Sequence, residues 1–433
     1  MNSYLWAFSG LAIFRYLRLV VNIISFFCMR PIPIPTEPAL NERDATVVIP
    51  TCFEVEYDVV RCLKTVASCS PARIIIVTSS AKVNVVQQCC DRYRIKNIQV
   101  LGVPELDKRN QIVKALPEVK TRITVFADDD VLWPSNLYLR YLLAAFEDPG
   151  VGAAGTLQRV RRGGSPNLFK FLGICYLERR NFNTGATNNI DGAVSTLSGR
   201  TAAHRTEVVQ NEAFYNFFTH DKFLGQRLNS DDDKCLTRWT YSHGWKIQVQ
   251  SDKRAVLETT LESNRKFFDQ CFRWARAHWR GNFTVMTTTR YWWTRHPWTL
   301  YAIYIGQFQT PAALWDGILM GTLLAGTASW APLYKYWAIG WYTTWLLFTK
   351  VVKILPHLFQ HPSDLKFLPA AIAFSYIHGW INIWALCTLK QTHWGSRDLE
   401  AASKALALAR PNYLKALHTA YSSYGTLGSL VPA

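Results

Sequence analysis

Several familiar signatures are missing from this sequence, and each absence narrows its class. Its 10 cysteines include no CxxC pair and no Cys/His set at zinc-finger spacing, so a structural zinc site is not expected. Cys89 and Cys90 are adjacent, which fits no disulfide framework and reads as reduced, buried thiols in a cytosolic domain. No internal repeat or low-complexity block is present. The formal net charge is +17, yet the Lys and Arg residues form no basic tail. Without a basic strip on a soluble motif, nucleic-acid binding is not expected. The charge suits anionic lipid or a substrate carrying diphosphate.

What is plentiful is aromatic and apolar. The 433 residues include 17 Trp and 19 Tyr, residues at home where a membrane meets water. Tyr4 to Met29 is long enough to span a bilayer. Arg15 and Arg18 interrupt it and must snorkel, face protein, or hold the helix at the interface. A cleaved signal peptide is the rival reading; the length and the position of the charges favour an uncleaved anchor. Prolines at 31, 33 and 35 then suggest an extended linker. Beyond Glu262 the chain turns aromatic and basic, then apolar near Trp298–Leu324, Pro332–Val352 and Leu365–Leu389. Gln307, Gln309 and Pro311 imply a kink or a polar lining in the first of these. The basic run from Arg265 to Arg295 belongs on a cytosolic side, as do Lys350, Lys353, Lys366 and Lys390. The third stretch is therefore re-entrant or interfacial on this reading. The sequon Asn282-Phe283-Thr284 should stay unmodified.

Between these ends, Thr46–Pro50, Arg73–Thr78, Asn97–Val103 and Arg122–Ala127 are near-continuous apolar runs. That pattern marks strands buried on both faces. Helical patterns at Tyr57–Ala67 and Lys108–Leu116 alternate with them, predicting an α/β fold with a parallel sheet. Ligands of such folds sit at the carboxyl ends of the strands.

Asp128, Asp129 and Asp130 follow the fourth run. Three adjacent carboxylates repel, and a divalent cation relieves the repulsion. Mg²⁺ or Mn²⁺ suits such oxygen donors, and alternation puts Asp128 and Asp130 on one side. A solvated acidic loop is the plainer alternative. Asp231, Asp232 and Asp233 precede a helical pattern, so they either cap it or supply a general base. Gln270, Arg273 and Trp274 share a helical face, which either binds diphosphate and sugar or anchors an interfacial helix.

The order of these segments resembles the family 2 glycosyltransferases, in the branch of hyaluronan, chitin and cellulose synthases and fungal capsule-type polysaccharide synthases. Val47 to Thr51, with Glu54 behind, resembles the first strand and donor-binding turn; Lys108-Arg109 resembles the GKR element. Asp128 to Asp130 resembles the DxD motif, and Leu197 to Arg200, leading to Arg205, the acceptor-lining segment. Asp231 to Lys234 resembles the GDDR or TED motif, whose base maps to Asp233. Gln270, Arg273 and Trp274 match QxxRW residue for residue, and Trp394 to Arg397 resembles the WGTR-type gating segment. Three departures stand out: no Asp ends the second strand (Thr78-Ser79-Ser80), Asp231 replaces the usual Gly, and a last pair of spans is absent.

The resemblance implies a GT-A fold and an inverting, metal-dependent hexosyltransferase. It would take a nucleotide-sugar donor, UDP-sugar by preference, and extend a polysaccharide through the membrane. Thr51, Glu54, Lys108, Arg109, Asp128 and Arg273 would hold donor and diphosphate, with metal on Asp128 and Asp130. Gly199, Arg200, Arg205, Gln270 and Trp274 would line the acceptor, Asp233 would be catalytic, and Trp394 and Arg397 would gate. The implied organisation is an anchor at 1–30, a linker at 31–44, a cytosolic catalytic domain at 45–264 and interfacial helices at 265–297. A transmembrane or re-entrant region at 298–390 and a cytosolic segment at 391–433 complete it. The expected location is multi-pass, in the plasma membrane. The alternatives are a transferase adding one sugar to ceramide or polyprenyl phosphate, and a non-catalytic transporter or scaffold.

Overall fold

The computed structural model describes residues 2–164 and 166–392. Seven strands make the central sheet: β1 (Ala45–Pro50), β2 (Arg73–Ser79), β3 (Ile98–Val103), β4 (Ile123–Ala127), β5 (Val151–Thr156), β6 (Thr201–Arg205) and β7 (Lys246–Gln250). Their order is β7-β5-β6-β4-β1-β2-β3. β6 runs antiparallel to β4 and β5, and the other neighbours are parallel.

Two cores explain the continuous apolar runs. Val47, Ile49, Ile74, Ile76 and Val125 feed the core on one face of the sheet. Val48, Ile75, Val77 and Phe126 feed the core on the other. Successive side chains point to opposite faces, so a strand covered on both sides has no polar alternate. Each such side chain, fully buried, contributes about 1.5–3 kcal/mol before entropy is subtracted. The expectation of β1 to β4 held within one or two residues. β5 to β7 were not anticipated: Val151-Gly152-Ala153-Ala154-Gly155-Thr156 is rich in small residues and carries little strand signal.

The helices that bear on the site and the helical region are α1 (Ser3–Cys28), α2 (Leu168–Asp191), α3 (Asp232–Ser242), α4 (Lys266–Thr288), α5 (Ala312–Gly326), α6 (Pro332–Val351) and α7 (Leu368–Cys387), beside others such as Glu56–Ser68. Two helical stretches, Ser3–Cys28 and Pro362–Cys387, are long and apolar enough to cross a membrane. The expected 298–324 span is broken. A π-helical turn at Leu300–Tyr304 and a 3₁₀ turn at Ile305–Gln309 precede α5. Gln307 and Gln309 are buried in protein there, so the anticipated kink is real and its amides face neighbours.

The arginines of α1 also face protein. Arg15 donates to Asp316 at 2.9 Å and to the Gln309 carbonyl at 3.1 Å, and Arg18 donates to the Ala302 carbonyl at 3.0 Å. Lys350 reaches the same Asp316 at 2.6 Å. α4 packs Phe267, Cys271, Ala275 and Trp279 against Phe374, Ile381 and Ala385 of α7. The sheet domain is pinned to this helical region by Asp364, which pairs with Arg162 and His357. None of the 10 cysteines forms a disulfide, and Cys89 and Cys90 are buried.

Candidate active site

The first acidic triplet leaves the carboxyl end of β4, beside the end of β1. Asp129 turns inward and is buried, accepting a hydrogen bond from Thr51 Oγ1 at 2.5 Å. Asp128 accepts from Lys108 Nζ at 2.8 Å, and Asp130 accepts from Thr260 Oγ1 at 3.2 Å. The middle acid serves the scaffold, while the outer two contact different neighbours across the turn that follows β4. The Asp128 amide donates to the Arg200 carbonyl at 2.9 Å, tying this triplet to the Gly199-Arg200 segment.

The second triplet opens α3. Asp231 has φ +66°, the left-handed region, and provides no side-chain cap. A glycine at this position would adopt that backbone at no steric cost. Asp231 survives there because Arg280 of α4 holds it through both carboxylate oxygens, at 2.7 and 3.0 Å. Asp232 lies 2.9 Å from Lys108 Nζ. Lys108 therefore bridges the two triplets. Burial disfavours its charge, but Asp128 and Asp232 outweigh burial and hold its pKa above the usual lysine value.

Asp233 points into the same cleft. Burial, and then the charge of Asp232, raise its pKa above the ordinary carboxylate value, against the pull of Arg180 at 4.0 Å. Its neighbour Lys234 is pulled down to about 8, chiefly by burial. Gly199 closes the cleft floor: a Cβ there would lie 3.4 Å from Asp232 Oδ2, Asp233 Cβ and Lys108 Nζ. A small space beneath them is lined by Lys108, Gly199, His204, Asp232 and Asp233. Burial keeps His204 neutral, pushing it down to about 3.

Arg200 connects the acids to the aromatic helix. Its guanidinium lies 5.5 Å from the Trp274 ring centroid. Burial and Arg180 draw its pKa down to about 10, while Asp130, Asp128 and Asp233 oppose them. Arg200 is thus within electrostatic reach of acids from both triplets. Trp274 also stacks near Tyr176, with centroids 4.7 Å apart. Gln270 and Arg273 occupy the same helix, half-buried, and the Gln270 Oε1 is buried without a hydrogen-bond partner.

Two of the expected site residues, Arg109 and Arg205, face away from the cleft. Arg109 is fully buried and donates to Asp221 and to the Phe218 and Ser230 carbonyls, away from the cleft. Its side chain is a strut because the helix at Lys108–Ala115 turns it inward. Arg205 ends β6, paired with Ile123 at the start of β4, so it sits at the opposite end of the strand from Asp128. It donates to the Val151, Phe146 and Asp148 carbonyls. Thr51 spends its hydroxyl on Asp129. Glu54 is exposed. Trp394 and Arg397 lie outside the described residues.

Sequence reasoning missed Arg180, Lys82 and Arg280. Lys82 clamps the donor-side turn by donating to the Cys52 and Phe53 carbonyls at 2.6 and 3.1 Å. None of the three belongs to a local pattern that stands out from other basic residues. Asn282 is buried and contacts Gln307, so its sequon is out of reach of glycosylation in the folded chain.

Asp128 and Asp130 offer hard oxygen donors at the end of β4, with Asp129 diverted to Thr51. That set fits a divalent cation whose other ligands come from a diphosphate. Among the described residues, no group of three or more His, Cys, Asp or Glu side chains forms a self-sufficient metal site.

Comparisons with known proteins bear on the family and the fold. The family model "Glycosyltransferase like family 2" matches residues 43–277. A "Type 2 glycosyltransferase" of Gibberella zeae is 42% identical over 401 residues, covering 91% of this chain and 76% of that protein. A "Type 2 glycosyltransferase" of Zymoseptoria tritici is 42% identical over 397 residues, covering 92% and 84%. Among solved structures, the mannosyltransferase PcManGT from Pyrobaculum calidifontis, in complex with GDP-Man and Mn²⁺, superposes with a TM-score of 0.51 at 16% identity, covering 86% of this chain and 99% of that one. That likeness concerns the fold, a GT-A sheet with its flanking helices. The chain belongs to the family 2 glycosyltransferases and has the GT-A fold of a nucleotide-sugar-dependent transferase.

Proposed function

We propose that the protein transfers a hexose, with inversion, from a nucleoside-diphosphate sugar to the end of a growing glycan at a membrane. The observation that carries this reading is the double pairing of Lys108, at 2.8 Å to Asp128 and 2.9 Å to Asp232. It gathers acids separated by about a hundred residues into one cleft, with Arg200 and Trp274 beside them.

Asp128 and Asp130 would hold a Mg²⁺ or Mn²⁺ ion, which supplies charge to neutralise a departing diphosphate. Lys108 and Arg273 would add fixed positive charge for the diphosphate. Asp233 takes the proton of the attacking hydroxyl. Trp274, flanked by Arg200 and Tyr176, offers an aromatic face to the acceptor sugar. Asp129 and Thr51 hold the strand end in place. The helical region, with its two membrane-length helices, supports a cytosolic site opening toward a bilayer, and a polymer that leaves through it.

The decisive experiment incubates purified, detergent-solubilised protein with a panel of nucleotide sugars and Mn²⁺. Nucleoside diphosphate release and product size are then read. A labelled polymer supports the full reading. A single-sugar lipid product replaces the polymer part, and no metal-dependent release with any donor removes the catalytic part.

A further inference from the structure

A second cluster of charge lies where α1, α2 and the carboxyl end of α6 meet, and the transfer chemistry does not use it. Lys353, one turn beyond α6, is within electrostatic reach of Arg18, Arg179, Arg15 and Lys350. Asp316 is the acid of this group, and it already takes both Arg15 at 2.9 Å and Lys350 at 2.6 Å. The remaining cations have neutral partners. Lys353 donates to Asn183 Oδ1 at 3.3 Å, and Arg18 to the Ala302 carbonyl at 3.0 Å. Arg179 donates through Nε to the Cys175 carbonyl at 3.3 Å, and its Nη2 is buried with no hydrogen-bond partner.

Other nearby acids are spoken for. Asp364 is held by Arg162 and His357. Glu178 is pushed up to about 7 by burial alone, without help from a cation.

Arg18, Arg179 and Lys353 are half-buried, and partly desolvated cations without counter-charge carry a share of the cost that full burial would impose. A bound anion offsets that cost, and a guanidinium beside ammonium groups matches a phosphate. Lys350 stands in the last turn of α6, at the end assigned to the cytosolic side by its charge. Trp341, Leu347 and Phe348 of the same helix are exposed, a surface suited to acyl chains. Basic pockets between helices at this depth recruit anionic headgroups.

We infer that Arg179, Lys353 and Arg18, supported by Lys350, form a binding site for a phosphate group carried by a membrane lipid. The inference rests on the membrane reading and not on the assignment of Asp233.

The test uses the full chain in lipid nanodiscs of phosphatidylcholine, alone or with phosphatidic acid, and native mass spectrometry of retained lipid. Wild type should retain phosphatidic acid over phosphatidylcholine. Lys353→Gln should weaken that preference about fivefold, Arg179→Gln/Lys353→Gln should abolish it, and Lys353→Arg should restore it. Donor hydrolysis by Lys353→Gln should match wild type, which shows that the variant is folded. Equal retention of both lipids by the wild type overturns the inference while leaving the membrane reading intact. Protein that stays soluble without detergent overturns both. Inorganic phosphate binding to the same residues in lipid-free detergent, with no lipid preference, assigns the site to a soluble anion and overturns its lipid character.

Discussion

Arg280 and Asp231 form a two-point ion pair, at 2.7 and 3.0 Å, between α4 and the segment that carries the second acidic triplet. Both side chains are almost wholly buried, 2% and 4% exposed. Arg280 also donates to the Leu389 and Gln391 carbonyls at 3.2 and 3.1 Å. One guanidinium thereby fixes the second acidic triplet to the residues that follow α7. Removing one partner of such a pair strands a charge and costs about 3–5 kcal/mol. Arg280→Leu should lower the unfolding temperature measurably in detergent and reduce transfer. Asp231→Gly relieves the left-handed strain but strands Arg280, so it should also destabilise. The double variant should recover part of the loss, and a thermal-shift double-mutant cycle reads that coupling.

The acid limb of activity should report Asp233. Its carboxyl must be ionised to accept a proton, and its pKa is raised by burial and by Asp232. Activity should therefore rise with pH through a midpoint above the ordinary carboxylate value. Arg180→Gln removes a stabilising cation and should move that midpoint up; Asp232→Asn removes a repelling anion and should move it down. Asp233→Asn should cost on the order of 10²–10⁴-fold in kcat with donor binding retained. A pH series of diphosphate release for wild type and the three variants checks both shifts and the loss.

Thr51 and Asp129 should matter through position. Thr51→Val leaves the buried Asp129 carboxylate short of its donor, a loss of about 1–3 kcal/mol. Stability should fall and the metal concentration for half-maximal activity should rise, since Asp128 and Asp130 flank the disturbed residue. A Mn²⁺ titration alongside a melting curve separates the two effects.

Gly281 gives Lys234 its room. A Cβ at 281 would lie 2.4 Å from Lys234 Cδ, and Lys234 is nearly buried beside Asp233. Gly281→Ala should therefore displace Lys234 and cost about 1–3 kcal/mol by overpacking. Lys234→Ala in the same background should recover stability, which differential scanning fluorimetry would show.

Arg205 serves as a contrast. Its bonds are to three carbonyls at the far end of the sheet. Arg205→Ala should lower the melting temperature and leave the acceptor KM of the surviving enzyme unchanged.

The sequence alone determined the parallel strands β1 to β4, because burial on both faces demands a run of apolar residues that no other local structure needs so briefly. It also determined that carboxylates would stand at the end of β4 and at the start of α3, since strand alternation and helix entry are local properties. Tertiary structure decided the rest. The antiparallel β6 brings Gly199 and Arg200 against both acidic triplets, and no local pattern announces an antiparallel insertion. Adjacent residues Lys108 and Arg109 look alike in sequence, yet one faces the cleft and the other Asp221. Of the two arginines that interrupt α1, Arg15 finds its charge partner in Asp316, some three hundred residues away, and Arg18 donates to the Ala302 carbonyl. Pairing between distant charges depends on how the chain closes over long separations, and a single sequence read locally carries no record of that closure.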